Sequence, residues 1–104
     1  MKTALVLPQT KITIIMKIYV ATKITGIPWS VVKSKLAEAK AYLLAIGYEP
    51  VIPTELPGNS KDTLWEESMK ICIRALVDCD AIALLEDWTN SRGARLEQTI
   101  AIRG

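Results

Sequence analysis

Hydrophobic positions along this chain change period several times, and each change marks an element. Ile18-Tyr19-Val20-Ala21 is a β-branched and aromatic run bounded by Thr25-Gly26-Ile27-Pro28, the pattern of a buried strand followed by a loop. Val32, Leu36, Ala39, Leu43 and Ile46 then recur in steps of four and three, one stripe of a helix with Lys33 and Lys40 pointing away. Ser30 is the expected N-cap of this helix and Gly47 its C′ residue. Tyr48 to Ile52 reads as a second short strand, closed by Pro53 and a polar loop containing Pro57-Gly58-Asn59. Thr63 with Glu66 has the spacing of a capping box, and Trp65, Met69, Cys72, Leu76 and Cys79 repeat the four–three stripe. Asp80 leads into Ala81-Ile82-Ala83-Leu84-Leu85, the continuous apolar run expected of a central parallel strand. Glu86 to Asn90 is loop, and a third helix starts from Asn90 or Ser91.

The order β-α-β-α-β-α predicts an α/β fold, a parallel sheet with helices on its faces and right-handed crossovers. Ligands of such sheets bind at the carboxyl ends of the strands, here residues 21–28, 53–63 and 86–93. Residues 1–15 read as an N-terminal extension, because Pro8-Gln9-Thr10 breaks the first apolar patch, and residues 16–104 as the domain. The alternative is that Lys11 to Ile15 forms the front of one longer first strand.

With 104 residues there is room for one domain, and 50% hydrophobic with 23% charged residues suits a compact fold rather than a disordered chain. The net charge of +2 does not mark a nucleic-acid binder. It hides an asymmetry: residues 1–40 carry seven lysines and one acid, residues 41–104 six basic and ten acidic groups. The chain has no histidine, which excludes Ser-His-Asp and Cys-His catalysis, imidazole metal sites and a histidine acid or base. Cys72 and Cys79 lie about two helical turns apart, roughly 10 Å of rise, too far for a disulfide. Two unpaired thiols and no apolar run near the ~18 residues of a membrane span make the cytoplasm the expected compartment. Neither a G-x-G-x-x-G nor a Walker A pattern is present, and Thr22-Lys23 after the first strand is unlike a phosphoacceptor aspartate site.

Candidate chemistry gathers in Asn90-Ser91-Arg92-Gly93-Ala94-Arg95-Leu96-Glu97. Glu97 falls on or beside the stripe that must pack on the sheet, so it is either a structural carboxylate bonded to a neighbouring loop or a carboxylate in a cleft. Ser91, Gly93 and the free amides of the first turn form a natural anion site. Arg92 and Arg95 either add charge-assisted bonds to a phosphate there or are solvated surface charges. Tyr19, near the end of the first strand, is either a core residue or a hydroxyl reaching the same cleft.

Taken together, Ile18-Tyr19-Val20-Ala21 with Thr25-Gly26, Gly47-Tyr48-Glu49-Pro50, Asp78-Cys79-Asp80-Ala81-Ile82-Ala83-Leu84-Leu85, Trp88 and the Ser91–Glu97 stretch resemble the nucleoside 2-deoxyribosyltransferase superfamily, within it a branch of small bacterial and phage proteins. The likeness spans about residues 16–101, and its most specific part is S-x-G-x-x-x-E after the D-A-I-A-L-L strand. It implies a Rossmann-like three-layer α/β/α fold with a short parallel sheet. It implies that Glu97 is the nucleophile that attacks C1′ of a 2-deoxyribosyl group, oriented by Tyr19, with water or a second base completing the reaction. Ser91 and Gly93 match positions holding the sugar's 5′ end, with Arg92 and Arg95 beside them. Residues 22–26 (Thr22, Lys23, Ile24, Thr25 and Gly26), entered from Ala21, match a loop that closes over the nucleotide. The implied partner is a small nucleoside or nucleotide, with no cofactor, no metal, no nucleic-acid polymer and no membrane.

Three departures stand beside the likeness. Cys72 occupies a place where catalytic relatives carry an aspartate, a glycine expected near Thr22 is absent, and the chain stops at Arg103-Gly104 where relatives continue into a further strand. A sheet ending early exposes a strand edge, which favours a homodimer or higher homo-oligomer, or pairing with the N-terminal extension. Cys72 also motivates a second reading, a catalytically inactive nucleotide-binding module; a third is a small interaction domain without a ligand, whose apolar content serves oligomerisation.

Overall fold

The computed structural model describes residues 15–86 and 88–103, with the side chain of Trp88 left aside. The expected extension therefore lies, but for Ile15, outside the described residues, as does the Lys11–Ile14 part of the alternative longer strand; Ile15 is exposed and precedes the sheet.

Strand β1 (Lys17–Ala21) sits at the centre. Its pleat sends Ile18 and Val20 to one face and Tyr19 and Ala21 to the other, and all four are buried. A strand buried on both faces needs apolar residues at every position, which is why this run does not alternate. Helix α1 (Trp29–Ala45) covers the Ile18/Val20 face with Val32, Leu36 and Leu43. Helix α2 (Trp65–Val77) covers the other face with Cys72 and Leu76, joined by Ala94 of helix α3 (Arg92–Arg103). The result is the expected three-layer α/β/α arrangement.

Strands β2 (Glu49–Val51) and β3 (Ala81–Leu84) flank β1 in parallel, in the order β2-β1-β3. Register is set by Tyr19 opposite Val51 on one side and Ile82 on the other. Reciprocal bonds between Lys17 and Asp80 fix where β3 begins: the Lys17 amide donates to Asp80 Oδ2 and the Asp80 amide to the Lys17 carbonyl, both at 2.8 Å.

Several local expectations are corrected. β3 is an edge strand, with Ala81 exposed and Ile82, Ala83 and Leu84 half-buried. The α2 crossover carries the chain past β1 to its free side, and among the described residues no strand pairs beyond it. Helix α1 begins one residue before Ser30, with Pro28 at the cap position and no side-chain cap. Helix α2 has Leu64 there, because the Thr63 hydroxyl serves the preceding loop: it accepts from the Ser60 amide at 2.8 Å and donates to the Gly58 carbonyl at 3.1 Å. Ile46 is exposed rather than in the stripe, since the helix ends there.

The Gly47 expectation holds. Its φ of 93° is in the left-handed region, its amide donates to the Leu44 carbonyl, and the Tyr48 amide donates to that of Leu43. This pair of bonds is a Schellman motif, which turns the chain sharply into β2.

Candidate active site

Because the strand order reverses around β1, connections leave its carboxyl end in opposite directions and a crevice opens there. A cleft of about 510 Å³ occupies the position, within the size range of small-molecule sites. All three loops foreseen from the sequence contribute to it. After β1 come Thr22, Ile24, Thr25 and Gly26; after β2 come Pro53, Asn59, Ser60 and Lys61; before and within α3 come Ser91, Gly93, Ala94 and Glu97. Gly26 has a φ of 83° and is the third residue of a turn closed by the Ile27 amide on the Ile24 carbonyl, a place that asks for left-handed backbone.

The floor is built from β1 and α3. Tyr19 points down on the α2/α3 face, and Glu97 comes from the second turn of α3 packed across it. The Tyr19 hydroxyl donates to Glu97 Oε2 at 2.5 Å, joining residues 78 apart in sequence. Glu97 is only 5% exposed and Tyr19 is wholly buried. Burial disfavours the carboxylate and pushes the Glu97 pKa up to about 7, although the bond from Tyr19 acts in the opposite direction. The Tyr19 phenol is raised as well, by its own burial and by the Glu97 charge, so it stays a donor. The carboxylate thus has one oxygen tied and a titration near neutrality, an arrangement suited to a nucleophile or proton carrier.

Ser91 caps α3. Its Oγ accepts from the Ala94 amide at 3.1 Å, and its carbonyl takes the Arg95 amide at 3.0 Å. The amides of Arg92 and Gly93 precede the first helical bond of this helix. Gly93 is small for a packing reason: a β-carbon there would lie 3.0 Å from the Met69 sulfur, and Trp65 Nε1 is 3.8 Å away. The group for which Gly93 makes room is therefore a neighbouring side chain of α2.

Four expected residues stand outside the cleft wall. Ala21 is packed in the core with Tyr19 and Cys72, and Lys23 is half-buried beyond the lining. Arg95 folds back on its own helix, Nε donating to the Ser91 carbonyl at 3.4 Å. Arg92 lies over the Trp65 ring, its guanidinium carbon 4.0 Å from the centroid. Trp65 in turn lines the cleft, so Arg92 braces the wall from behind.

Cys72 lines the cleft and is 3% exposed; its thiol is pushed up by burial. Sequence reasoning missed its neighbours. Asn59 is buried, donates through Nδ2 to the Pro53 carbonyl at 2.8 Å, accepts from Ser68 Oγ at 2.7 Å, and stands 3.7 Å from Cys72 Sγ. It staples the β2 loop to α2. Trp29 and Trp65 were also missed as wall residues. Both open helices that follow a strand, and helix N-termini in a parallel sheet lie at the ligand edge, so topology was the signal that could have found them. Cys72 and Cys79 are free thiols. Among the described residues no three His, Cys, Asp or Glu side chains gather as a metal site, and no helix is long and apolar enough to cross a membrane.

The family described as Domain of unknown function (DUF4406) matches residues 16–103, nearly the whole chain. The chain belongs to this family. Among curated proteins and solved structures, none matches it. The match begins at Met16.

Proposed function

We propose that this DUF4406 chain is a nucleoside or deoxynucleotide N-glycosidase, or a deoxyribosyltransferase-like enzyme, with Glu97 as nucleophile on C1′ of a 2-deoxyribosyl group. The observation that carries the reading is the Glu97 carboxylate, 5% exposed, tied to Tyr19 and lining the cleft at the switch point of the sheet. The ionised carboxylate attacks C1′, the C1′–N bond breaks, and its electron pair leaves with the base. Water or a second base then displaces Glu97 from the opposite side of the new bond, so two inversions retain configuration. Tyr19 holds Oε2, leaving Oε1 for the attack and spreading the charge that returns on release. The hydroxyl of Ser91 and the first-turn amides of α3 hold the 5′ end of the sugar, and residues 22–26 cover the ligand.

The test is incubation with each deoxynucleoside and its 5′-monophosphate, with released base quantified by chromatography. Release by the wild type and none by a folded Glu97→Gln variant supports the reading; equal release from the two, or none from either with neutral and cationic N-glycosides alike, refutes it. Cys72 favours a second reading, a nucleotide-binding module without turnover, because a buried neutral thiol is a poor substitute for a carboxylic acid. Calorimetric binding of a nucleotide that survives intact would support that alternative, and hydrolysis gained by Cys72→Asp would mark a decayed enzyme.

A further inference from the structure

Breaking a C1′–N bond leaves the electron pair on the base nitrogen, and a neutral base departs as an anion unless an acid protonates it. The cleft is poor in such acids. Glu97 is engaged as the nucleophile, and among the described residues it is the only carboxyl group on the wall. The Tyr19 hydroxyl is committed to Glu97, and Cys72, although on the wall, is a thiol that burial makes less acidic still. Asn59 and Ser68 are amide and alcohol, bonded to each other. Lys61 lies exposed on the rim.

The same wall is rich in aromatic surface. Trp29 and Trp65, both half-buried, line it from the first turns of α1 and α2. Indole faces attract cations, and Trp65 already carries one, the Arg92 guanidinium at 4.0 Å. A cleft with a carboxylate floor, aromatic walls and little acid suits a leaving group that brings its own positive charge.

Resting on the glycosidase reading, we propose that the substrate is an N-glycoside whose leaving group is a cationic aromatic ring, a pyridinium or an N-alkylated purinium. Glu97 Oε1 forms the bond to C1′. The C1′–N pair returns to the ring, cancels its charge and releases a neutral base, so no proton from the protein is needed. Water then cleaves the glycosyl ester, regenerating the Glu97 carboxylate and yielding the free sugar and one proton to solvent. Trp29 stacks on the ring in the bound state.

The experiment compares the 2′-deoxyriboside of nicotinamide, a pyridinium whose charge does not titrate, with neutral 2′-deoxyadenosine, and their 5′-monophosphates, from pH 5 to 9. The expected result is kcat/KM at least 100-fold higher for the cationic member of each pair. Its rate rises with pH to a plateau as Glu97 ionises, while cleavage of the neutral member falls above pH 7 because its proton comes from solution. Trp29→Leu raises KM for the cationic substrate at least tenfold. Neutral substrates cleaved within tenfold of the cationic ones, or a shared pH profile, would overturn the proposal and leave the glycosidase reading standing. Neutral-base release that disappears in Lys61→Met would also overturn it, by revealing a protein acid. No release from any substrate above folded Glu97→Gln would overturn both.

Discussion

Replacing Glu97 with glutamine removes one buried charge while keeping an acceptor for the Tyr19 hydroxyl, so its effect on stability isolates the cost of ionising this side chain. Burial raises the Glu97 pKa from 4.5 to about 7. At 1.36 kcal/mol per unit, this amounts to about 3 kcal/mol between the fully protonated and fully ionised states. The folded pKa lies above the unfolded one, so the folded chain binds more protons between them and stability falls as pH rises. The favourable contribution is fully present below about pH 4.5 and is lost by the time pH passes about 7. Urea unfolding of wild type and Glu97→Gln at intervals from pH 4.5 to 8.5 measures it, because other titrating groups cancel in the difference. The two proteins should be of similar stability at the acid end, with the variant about 3 kcal/mol more stable at the alkaline end. For a domain of this size that corresponds to a melting difference on the order of 10 °C. Parallel curves would refute the reasoning, since they would mean that Glu97 keeps an ordinary pKa and is not desolvated.

The Tyr19→Phe variant removes the bond that partly offsets desolvation, so the Glu97 titration followed by 13C NMR should move above its wild-type midpoint; an unchanged or lower midpoint would contradict the Tyr19–Glu97 geometry. Gly47→Ala places a β-carbon on backbone at φ 93° and should cost about 1 kcal/mol in urea unfolding, where an ordinary helix-end glycine would gain from the same change. Leu36→Ala opens a cavity at a position 1% exposed under α1 and should cost 2 to 5 kcal/mol, roughly, by the same assay.

The element order was legible because the longer elements bury their apolar residues at characteristic periods: Val32, Leu36 and Leu43 on α1, Met69, Cys72 and Leu76 on α2, and the unbroken run of β1. From that order the ligand edge followed, and Tyr19, Ser91, Gly93 and Glu97 meet there. Local polar chemistry was less legible. Ser30 and Thr63 have the composition of helix caps, yet Thr63 closes a loop of its own, and nothing in spacing separates these uses of a hydroxyl. Asn59 looks like any loop asparagine after a glycine; its burial depends on Ser68, nine residues on and in another element. The continuous apolar run of β3 suggested a central strand, but centrality depends on which neighbours pair, a property no single segment carries.

The central claim is that Glu97 forms a bond to the sugar, and acid-quenched turnover samples read by peptide mass spectrometry test it most directly. The account predicts a deoxyribosyl adduct on the peptide containing Glu97, appearing with base release, decaying as water or a second base is supplied, and missing in Glu97→Gln. Base release with no adduct at Glu97, continuing undiminished in the glutamine variant, would contradict it.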